Sequence, residues 1–398
     1  MTAKSLMNEY PPAQDRLVTL ANWRTQPFND WSYRNVRRLL PTADIPASRT
    51  PSPFDDARQD IGGITLQDAE GKTIALNAWL RGTRTNGFVV LRNGRIVTEW
   101  YGEGMNGTTP HIVFSVSKSI CGALGGVLAA QGVLDPDRPV TAYIPEIASS
   151  VYGSGGCTVR HLLDMSVGIK FEEDYLDPEG DVARYRRAVG WDVTPPGHSV
   201  IDLRGFLGMQ KPDGKTHGDT FHYVSTNTDM LGWVYERASG RALSDLLSDH
   251  LWKPMGAEVD AYITLDAHGA MRAAGGICAA PRDLARFGEM IRRRGVVDGR
   301  QVVPGSWIDD INENGSAEAW ARGDFAEVFP GGNYRSKFYQ IDRKRRTLAC
   351  LGIHGQYIYI DPPSETVIVR VGSDHIPLDL PATHTWRRAF DAIAAHFS

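Results

Sequence analysis

β-type runs lie towards both ends of this chain, and that placement restricts the fold more than any single motif. Phe88-Val89-Val90-Leu91-Arg92 and Arg95-Ile96-Val97-Thr98-Glu99-Trp100 are rich in β-branched and aromatic residues. They are joined by Asn93-Gly94, the dipeptide that favours a type I′ turn, so a hairpin is predicted over 87–101. Comparable runs return at Gln356 to Ile360 and Thr366 to Val371, followed by a closing helix from about His384 to His396. Between about residues 140 and 260 helical periods dominate, as in Leu231-Gly232-Trp233-Val234-Tyr235-Glu236 and Leu243 to Leu251. Strands that must pair across such a gap imply one sheet built from distant segments, with a mostly helical lobe inserted between them. The expected fold class is therefore α/β (α+β), an antiparallel sheet flanked by helices with an inserted, mostly helical domain. The expected division is an extended N-terminal arm over 1–60, an α/β domain from 61–118 and 262–398, and the helical domain over 119–261. The arm is rich in Pro, Arg, Asp and Trp and lacks periodicity, so it either packs on the body through Trp23 and Trp31 or is disordered.

The length supports two lobes. At 398 residues the chain exceeds the roughly 250–300 at which one hydrophobic core stops growing. Its 43 Lys plus Arg against 47 Asp plus Glu give a formal net charge of −4, without the basic excess that phosphate neutralisation requires, so nucleic acid is not an expected partner. Cys121, Cys157, Cys278 and Cys350 are far apart and form no C-x-x-C pair, which fits a reducing compartment rather than a disulfide framework or zinc knuckle. No stretch reaches the roughly 18 apolar residues of a membrane span, and the first residues hold no signal-peptide hydrophobic region. A cytoplasmic protein without a membrane partner is expected.

Phe114-Ser115-Val116-Ser117-Lys118 is an S-x-x-K element opening a helix that runs through Ile120, Leu124 and Leu128 and ends near Gln131-Gly132. Gly122, Gly125 and Gly126 on that helix suggest close packing on neighbours. Residues three apart share a helix face, so the Lys118 amine reaches the Ser115 hydroxyl. A serine becomes a useful nucleophile once a neighbour takes its proton. A neutral lysine can do so, and burial together with the positive end of the helix dipole lowers a lysine pKa from about 10.4. The same helix N-terminus offers the Ser115 N–H to a developing oxyanion. The tetrapeptide also reads as an N-capping serine followed by a solvated lysine. Tyr223, in Phe221-His222-Tyr223-Val224-Ser225, raises the odds of chemistry because a phenol beside a lysine can relay a proton to a leaving group; alone it reads equally as a loop tyrosine packed on the core.

With these motifs in order, the chain resembles the serine β-lactamase and penicillin-binding-protein-like hydrolases, which carry S-x-x-K and Y-x-[NS]. Thr158-Val159-Arg160-His161-Leu162-Leu163-Asp164-Met165-Ser166-Val167-Gly168 is similar to that family's "T-I-R-H-L-L-T-H-T-S-G", and Ala274-Gly275-Gly276-Ile277 with Arg282-Asp283-Leu284-Ala285-Arg286-Phe287 to its "G-G-x-x-S-T-A-x-D-L-A-R-F". The match is collinear from about residue 85 to 373. Within the family the nearest resemblance is to the nylon-oligomer (6-aminohexanoate-dimer) hydrolases and their carboxylesterase relatives, through Ser115-Val116-Ser117-Lys118-Ser119, Glu173-Asp174-Tyr175-Leu176-Asp177-Pro178, Ser225-Thr226-Asn227-Thr228-Asp229 and Gly352-Ile353-His354-Gly355-Gln356. The resemblance implies a β-lactamase/transpeptidase-like fold, Ser115 as nucleophile, and Lys118 and Tyr223 as the proton-transfer pair. It further implies oxyanion donors at the Ser115 and Ile353 backbone N–H groups, and substrate contacts from Tyr175, Tyr339 and His354; His354 also reads as a structural residue satisfied by a neighbour.

The chain departs from that pattern in places. Cys350-Leu351-Gly352 stands where lactamases carry a K-T-G-like triad, and Lys215-Thr216-His217-Gly218 precedes Tyr223, so its order makes it a decoy. Arg186 and Ala274 stand where amide-cleaving members are expected to carry polar or acidic substrate-binding groups. The acidic run from Glu172 to Asp181 reads either as a solvated loop or as an attractor for a substrate ammonium group. Arg343-Lys344-Arg345-Arg346 reads as an exposed turn. Eleven histidines occur without H-E-x-x-H, so no metal is expected, and no cofactor. The leading expectation is a serine hydrolase acting through an acyl-enzyme on Ser115, with a small ester or short amide as substrate. A β-lactamase or D-amino-acid peptidase, and a catalytically silent binding protein on the same scaffold, are the alternatives. Whether Lys118 or Tyr223 is the base, and the oligomeric state, a homodimer included, stay open.

Overall fold

The computed structural model describes residues 6–68, 70–199 and 201–398; the first five residues of the expected arm lie outside the described residues. Its main sheet has seven antiparallel strands, in the order Asn333–Arg335, Phe338–Asp342, Thr347–Gly352, Gln356–Asp361, Thr366–Gly372, Thr85–Arg92 and Arg95–Tyr101. The two distant groups of β-type runs meet where Val367 pairs with Leu91 and Val369 with Val89. The predicted hairpin is present, with Asn93 and Gly94 both at positive φ (47° and 74°), as a type I′ turn demands. Alternation along the strands builds two cores. Val89, Leu91, Val367 and Val369 join Leu284, Phe287 and Met290 of the helix Pro281–Arg292, whereas Phe88, Val90, Ile368, Tyr357 and Tyr359 join Trp386, Phe390 and Ile393 of the helix Leu380–His396. That last helix begins a turn earlier than its apolar periodicity suggests, because the Asp379 carboxylate accepts from the Ala382 N–H at 2.9 Å.

The region between the strand groups carries short helices, Val159–Leu163, Asp181–Ala188, Leu203–Gly208 and Leu243–Leu247, around the longer Thr226–Ser239. The helix Val116–Ala130 runs through the middle of the molecule and is buried almost throughout. Its glycines do what their spacing suggests: a Cβ on Gly122 would lie 2.1 Å from the Ser336 carbonyl oxygen, and one on Gly126 2.5 Å from the Trp307 ring. A second sheet, in the order Thr42–Ile45, Ala261–Thr264, Ile277–Ala279, His111–Ile112, holds both chain segments that lead into the site. The strand at 111–112 delivers Ser115, and the turn before Ile277 delivers Ala274.

The N-terminal segment differs from a simple extended arm. It folds into helical turns, Asn29–Ser32 and Val36–Arg38 among them, and adds the strand Thr42–Ile45 to the second sheet. Its aromatics anchor it: Trp23 is 1% exposed and its indole N–H donates to the Trp191 carbonyl at 3.0 Å, while Tyr33 is fully buried against Phe114.

Candidate active site

Ser115 occupies the N-cap position of the helix Val116–Ala130, but its side chain makes no capping hydrogen bond. The hydroxyl instead sits 2.6 Å from the Lys118 amine, which also donates to the Ala274 carbonyl at 2.7 Å. Lys118 is 2% exposed, so the reading of a capping serine with a solvated lysine does not hold. Burial is the main cause that lowers the Lys118 pKa to about 7; Glu173 and Asp229 oppose it and Arg272 assists. Phe114, immediately before Ser115, adopts φ +43°, a left-handed conformation that costs a non-glycine residue about 1–3 kcal/mol. It is held there by its ring, buried among Tyr33, Trp191 and His354. The Ser115 side chain is thus aimed by packing rather than by a cap.

Tyr223 lies in the loop before the helix Thr226–Ser239, with the Lys118 amine 5.1 Å from its ring centre. Burial and the charge of Glu173 hold its phenol above the ordinary value, while contacts with Ser115 and Tyr339 pull the other way. Two carboxylates fix this loop. Asp324 accepts from the Tyr223 N–H at 2.7 Å and from the His222 ring at 3.0 Å, and Glu173 accepts from the Ser225 N–H at 2.9 Å and from its hydroxyl. Burial alone would lower the His222 pKa, but its hydrogen bond to Asp324 and that carboxylate's charge outweigh burial and raise it.

Ser115, Tyr223, Tyr175, Tyr339 and Ile353 all line one cavity of about 560 Å³, whose far wall is apolar, with Phe325, Phe329, Leu351 and Tyr357. The Tyr175 hydroxyl donates to Glu173 at 2.9 Å, and Tyr339, on the strand Phe338–Asp342, lies face to face with Tyr223 at 6.3 Å between ring centres. Neither the Ser115 nor the Ile353 backbone N–H meets a protein acceptor among the described residues. His354 stands apart from this group. At φ +60° it occupies the tight turn between Gly352 and Gln356, its ring is 3% exposed and bonded to the Asp374 carbonyl at 2.7 Å, and it does not line the large cavity. Burial lowers its pKa to about 4, so the ring is neutral. It is a turn residue, and with Ser115, Tyr175 and Ile353 it lines a second, smaller cavity. Among the described residues no cluster of His, Cys, Asp or Glu could hold a metal ion.

A beta-lactamase family model matches residues 80–391. The chain belongs to the beta-lactamase family. It is 37% identical over 365 residues, 92% of this chain and 90% of the other, to a 6-aminohexanoate-dimer hydrolase from Paenarthrobacter ureafaciens. It superposes on a Bacillus anthracis protein assigned as a 6-aminohexanoate-dimer hydrolase with a TM-score of 0.87 at 27% identity, covering 97% of this chain and 98% of that one. A family VIII carboxylesterase shares the fold at a TM-score of 0.58 and 17% identity, over 79% and 95% of the two chains. The chain is thus a serine hydrolase of β-lactamase/transpeptidase-like fold. In this beta-lactamase-family member the late strand Thr347–Gly352 carries a buried Cys350 where a triad lysine is expected, and no Lys or Arg lines the large cavity among the described residues. Lys215, in the decoy triad, is an exposed loop residue 3.7 Å from Asp213. Within the acidic run, Glu172, Glu173 and Asp174 all line the large cavity, Glu173 being the least exposed of the three; Asp174 also accepts from the Leu176 N–H, and Asp181 accepts from the Glu172 N–H. Asp324 carried no sequence signal, since it reaches Tyr223 from a loop far along the chain. The four cysteines are buried free thiols, and no helix among the described residues is long and apolar enough to cross a membrane.

Proposed function

We propose that this protein hydrolyses small carboxylic esters and short amides through an acyl-enzyme on Ser115. The observation that carries the reading is the 2.6 Å contact between the Ser115 hydroxyl and a buried lysine whose pKa is lowered to about 7. Lys118 as free amine accepts the Ser115 proton while the oxygen bonds to the substrate carbonyl carbon, and the resulting oxyanion is met by the unused N–H groups of Ser115 and Ile353. The tetrahedral intermediate collapses as the bond to the leaving group breaks. The Tyr223 hydroxyl gives that group a proton and regains one from the lysine ammonium. Water then releases the acid by the same steps in reverse order.

The division of labour between the two basic groups follows from their surroundings. Burial beside Glu173 disfavours a Tyr223 phenolate, whereas burial favours the neutral form of Lys118, so Lys118 is the base and Tyr223 the relay. Tyr175 and Tyr339 supply aromatic walls for the substrate, and His354 lines the smaller cavity beside Ser115. The four buried free thiols suit a cytoplasmic setting. Replacing Ser115 by Ala is expected to lower the turnover of 4-nitrophenyl butyrate by about 10⁴-fold or more. Activity retained by a pure Ser115→Ala sample sinks the assignment.

A further inference from the structure

A second cavity, of about 40 Å³, shares Ser115, Tyr175 and Ile353 with the large one but has a wall of different character, because Arg24, Arg186 and Arg272 line it. None of these arginines lines the large cavity. Arg24 and Arg186 share one carboxylate, Asp192, which lies outside the lining and is 2.9 Å from Arg186 Nε. Arg186 gives one further bond to the Tyr175 carbonyl at 3.2 Å, and Arg272 is paired with Asp229 behind the cleft. A guanidinium has five donors in a rigid fork, so these partners leave donors over. Two are stranded outright: Arg24 Nε and Arg272 Nε are buried without an acceptor among the described residues, and Arg272 is 6% exposed. Glu173, the carboxylate in the lining, is already taken by Ser225 and Tyr175. Burial and the neighbouring charge of Arg24 both hold the Arg186 pKa below its ordinary value, against the pull of Asp192.

The cleft holds guanidinium donors that these carboxylates leave unused, and it adjoins the nucleophile. We propose that it is an acyl-side carboxylate subsite: it takes the free carboxylate of a half-ester or half-amide of a short dicarboxylic acid, bound through the forks of Arg186 and Arg24. The acyl side follows from what must leave. After acylation the alcohol or amine departs while the acyl group stays on Ser115, so the wide cavity serves the leaving group and the narrow cleft, walled by Phe114, Tyr185 and Trp191, keeps the acyl tail. Its volume is about three times what one water needs by the same measure, room for a carboxylate and a short stem. A planar fork matched to a carboxylate is the geometry in which arginine discriminates best.

This subsite rests on the Ser115 acyl-enzyme reading, and the test separates the two. Specificity constants for mono-4-nitrophenyl glutarate and 4-nitrophenyl pentanoate, each above its spontaneous rate, are compared in the wild-type protein and in Arg186→Gln. Wild type is expected to prefer the glutarate half-ester at least tenfold, and Arg186→Gln to reduce that ratio at least tenfold, mainly through KM. Equal or reversed preference in wild type, or a ratio that Arg186→Gln leaves unchanged, overturns the subsite. Titration of free glutarate into Ser115→Ala is independent of turnover: binding that disappears in Ser115→Ala/Arg186→Gln supports the subsite even if neither ester is cleaved, which would count against the acyl-enzyme alone. No glutarate binding to Ser115→Ala overturns the subsite. Should Arg186→Gln fail to fold, Arg24→Gln serves in both arms.

Discussion

Two buried lysines, one in the helix Val116–Ala130 and one packed against it, have different surroundings. Lys118, one turn into the helix, has the Ser115 hydroxyl 2.6 Å from its amine beside a large cavity. Lys337 is 1% exposed, at the tip of the hairpin between Asn333–Arg335 and Phe338–Asp342. Its amine donates to the Leu162 carbonyl, and its own carbonyl accepts from the Ser119 hydroxyl at 2.7 Å. Burial lowers both pKa values. For Lys118 the charges of Glu173 and Asp229 limit the fall to about 7, whereas Lys337 is pushed well below its ordinary value and the charge of Lys118 adds to the fall. Desolvation therefore favours the neutral lysine at either place. A catalytic base also needs a proton donor in contact and a pKa near the working pH, where basicity and the fraction of free amine are both usable.

The comparison is most exposed to failure at Lys118. Lys118→Met is expected to reduce kcat/KM for 4-nitrophenyl butyrate by about 10²–10⁴-fold; a loss of less than tenfold in steady-state assays would place the base elsewhere. The wild-type profile follows from the lowered pKa. Free amine is the acting form, so kcat/KM falls as pH drops below about 7 and levels off above it.

Lys337→Met is expected to leave kcat/KM within about threefold of wild type and to act on stability instead, with the stranded Leu162 carbonyl costing about 1–3 kcal/mol. Its pH signature has a definite sign. The folded pKa of Lys337 lies below its unfolded value, so the unfolded state binds more protons and wild-type stability rises with pH towards the ordinary lysine pKa. The Tm difference, variant minus wild type, should therefore become less favourable to the variant as pH rises from 6 to 9. A difference constant across that range would mean that Lys337 is charged in the fold. The smallest expected effect belongs to Glu173→Gln. Removing a carboxylate that raises the Lys118 pKa should move the acid limb of the pH profile to lower pH by less than about one unit. Movement to higher pH would contradict the arrangement of charges.

Much of the frame was legible in residue patterns because those patterns report local physics. The Asn93-Gly94 turn and the alternation of Phe88 to Leu91 each express a constraint that neighbours in sequence impose on one another, whereas the glycines at 122 and 126 signalled close packing without naming Ser336 and Trp307 as the groups that approach them. Ser115 and Lys118 were readable as a pair for the same reason, being one helical turn apart. The hairpin tip at Ser336-Lys337 was not, since both residues take positive φ (48° and 71°) without a glycine, held by contacts with a distant helix. Asp324, Arg24 and the inward turn of Glu173 were equally silent: each reaches the site by tertiary contact, and an acidic residue in a loop looks the same whether it caps a turn or clamps Tyr223. The closing helix was underestimated at its start because Pro381 and the Asp379 cap, not apolar spacing, define its first turn.

The central claim is that Ser115, deprotonated by Lys118, carries the acyl group. Rapid acid quench during turnover of 4-nitrophenyl butyrate, followed by mass spectrometry of the tryptic peptide 96–118, tests it directly. The predicted result is a butyryl adduct on Ser115 in wild type that is absent from Ser115→Ala. Turnover without that adduct, or with the acyl group on another residue, would contradict the account.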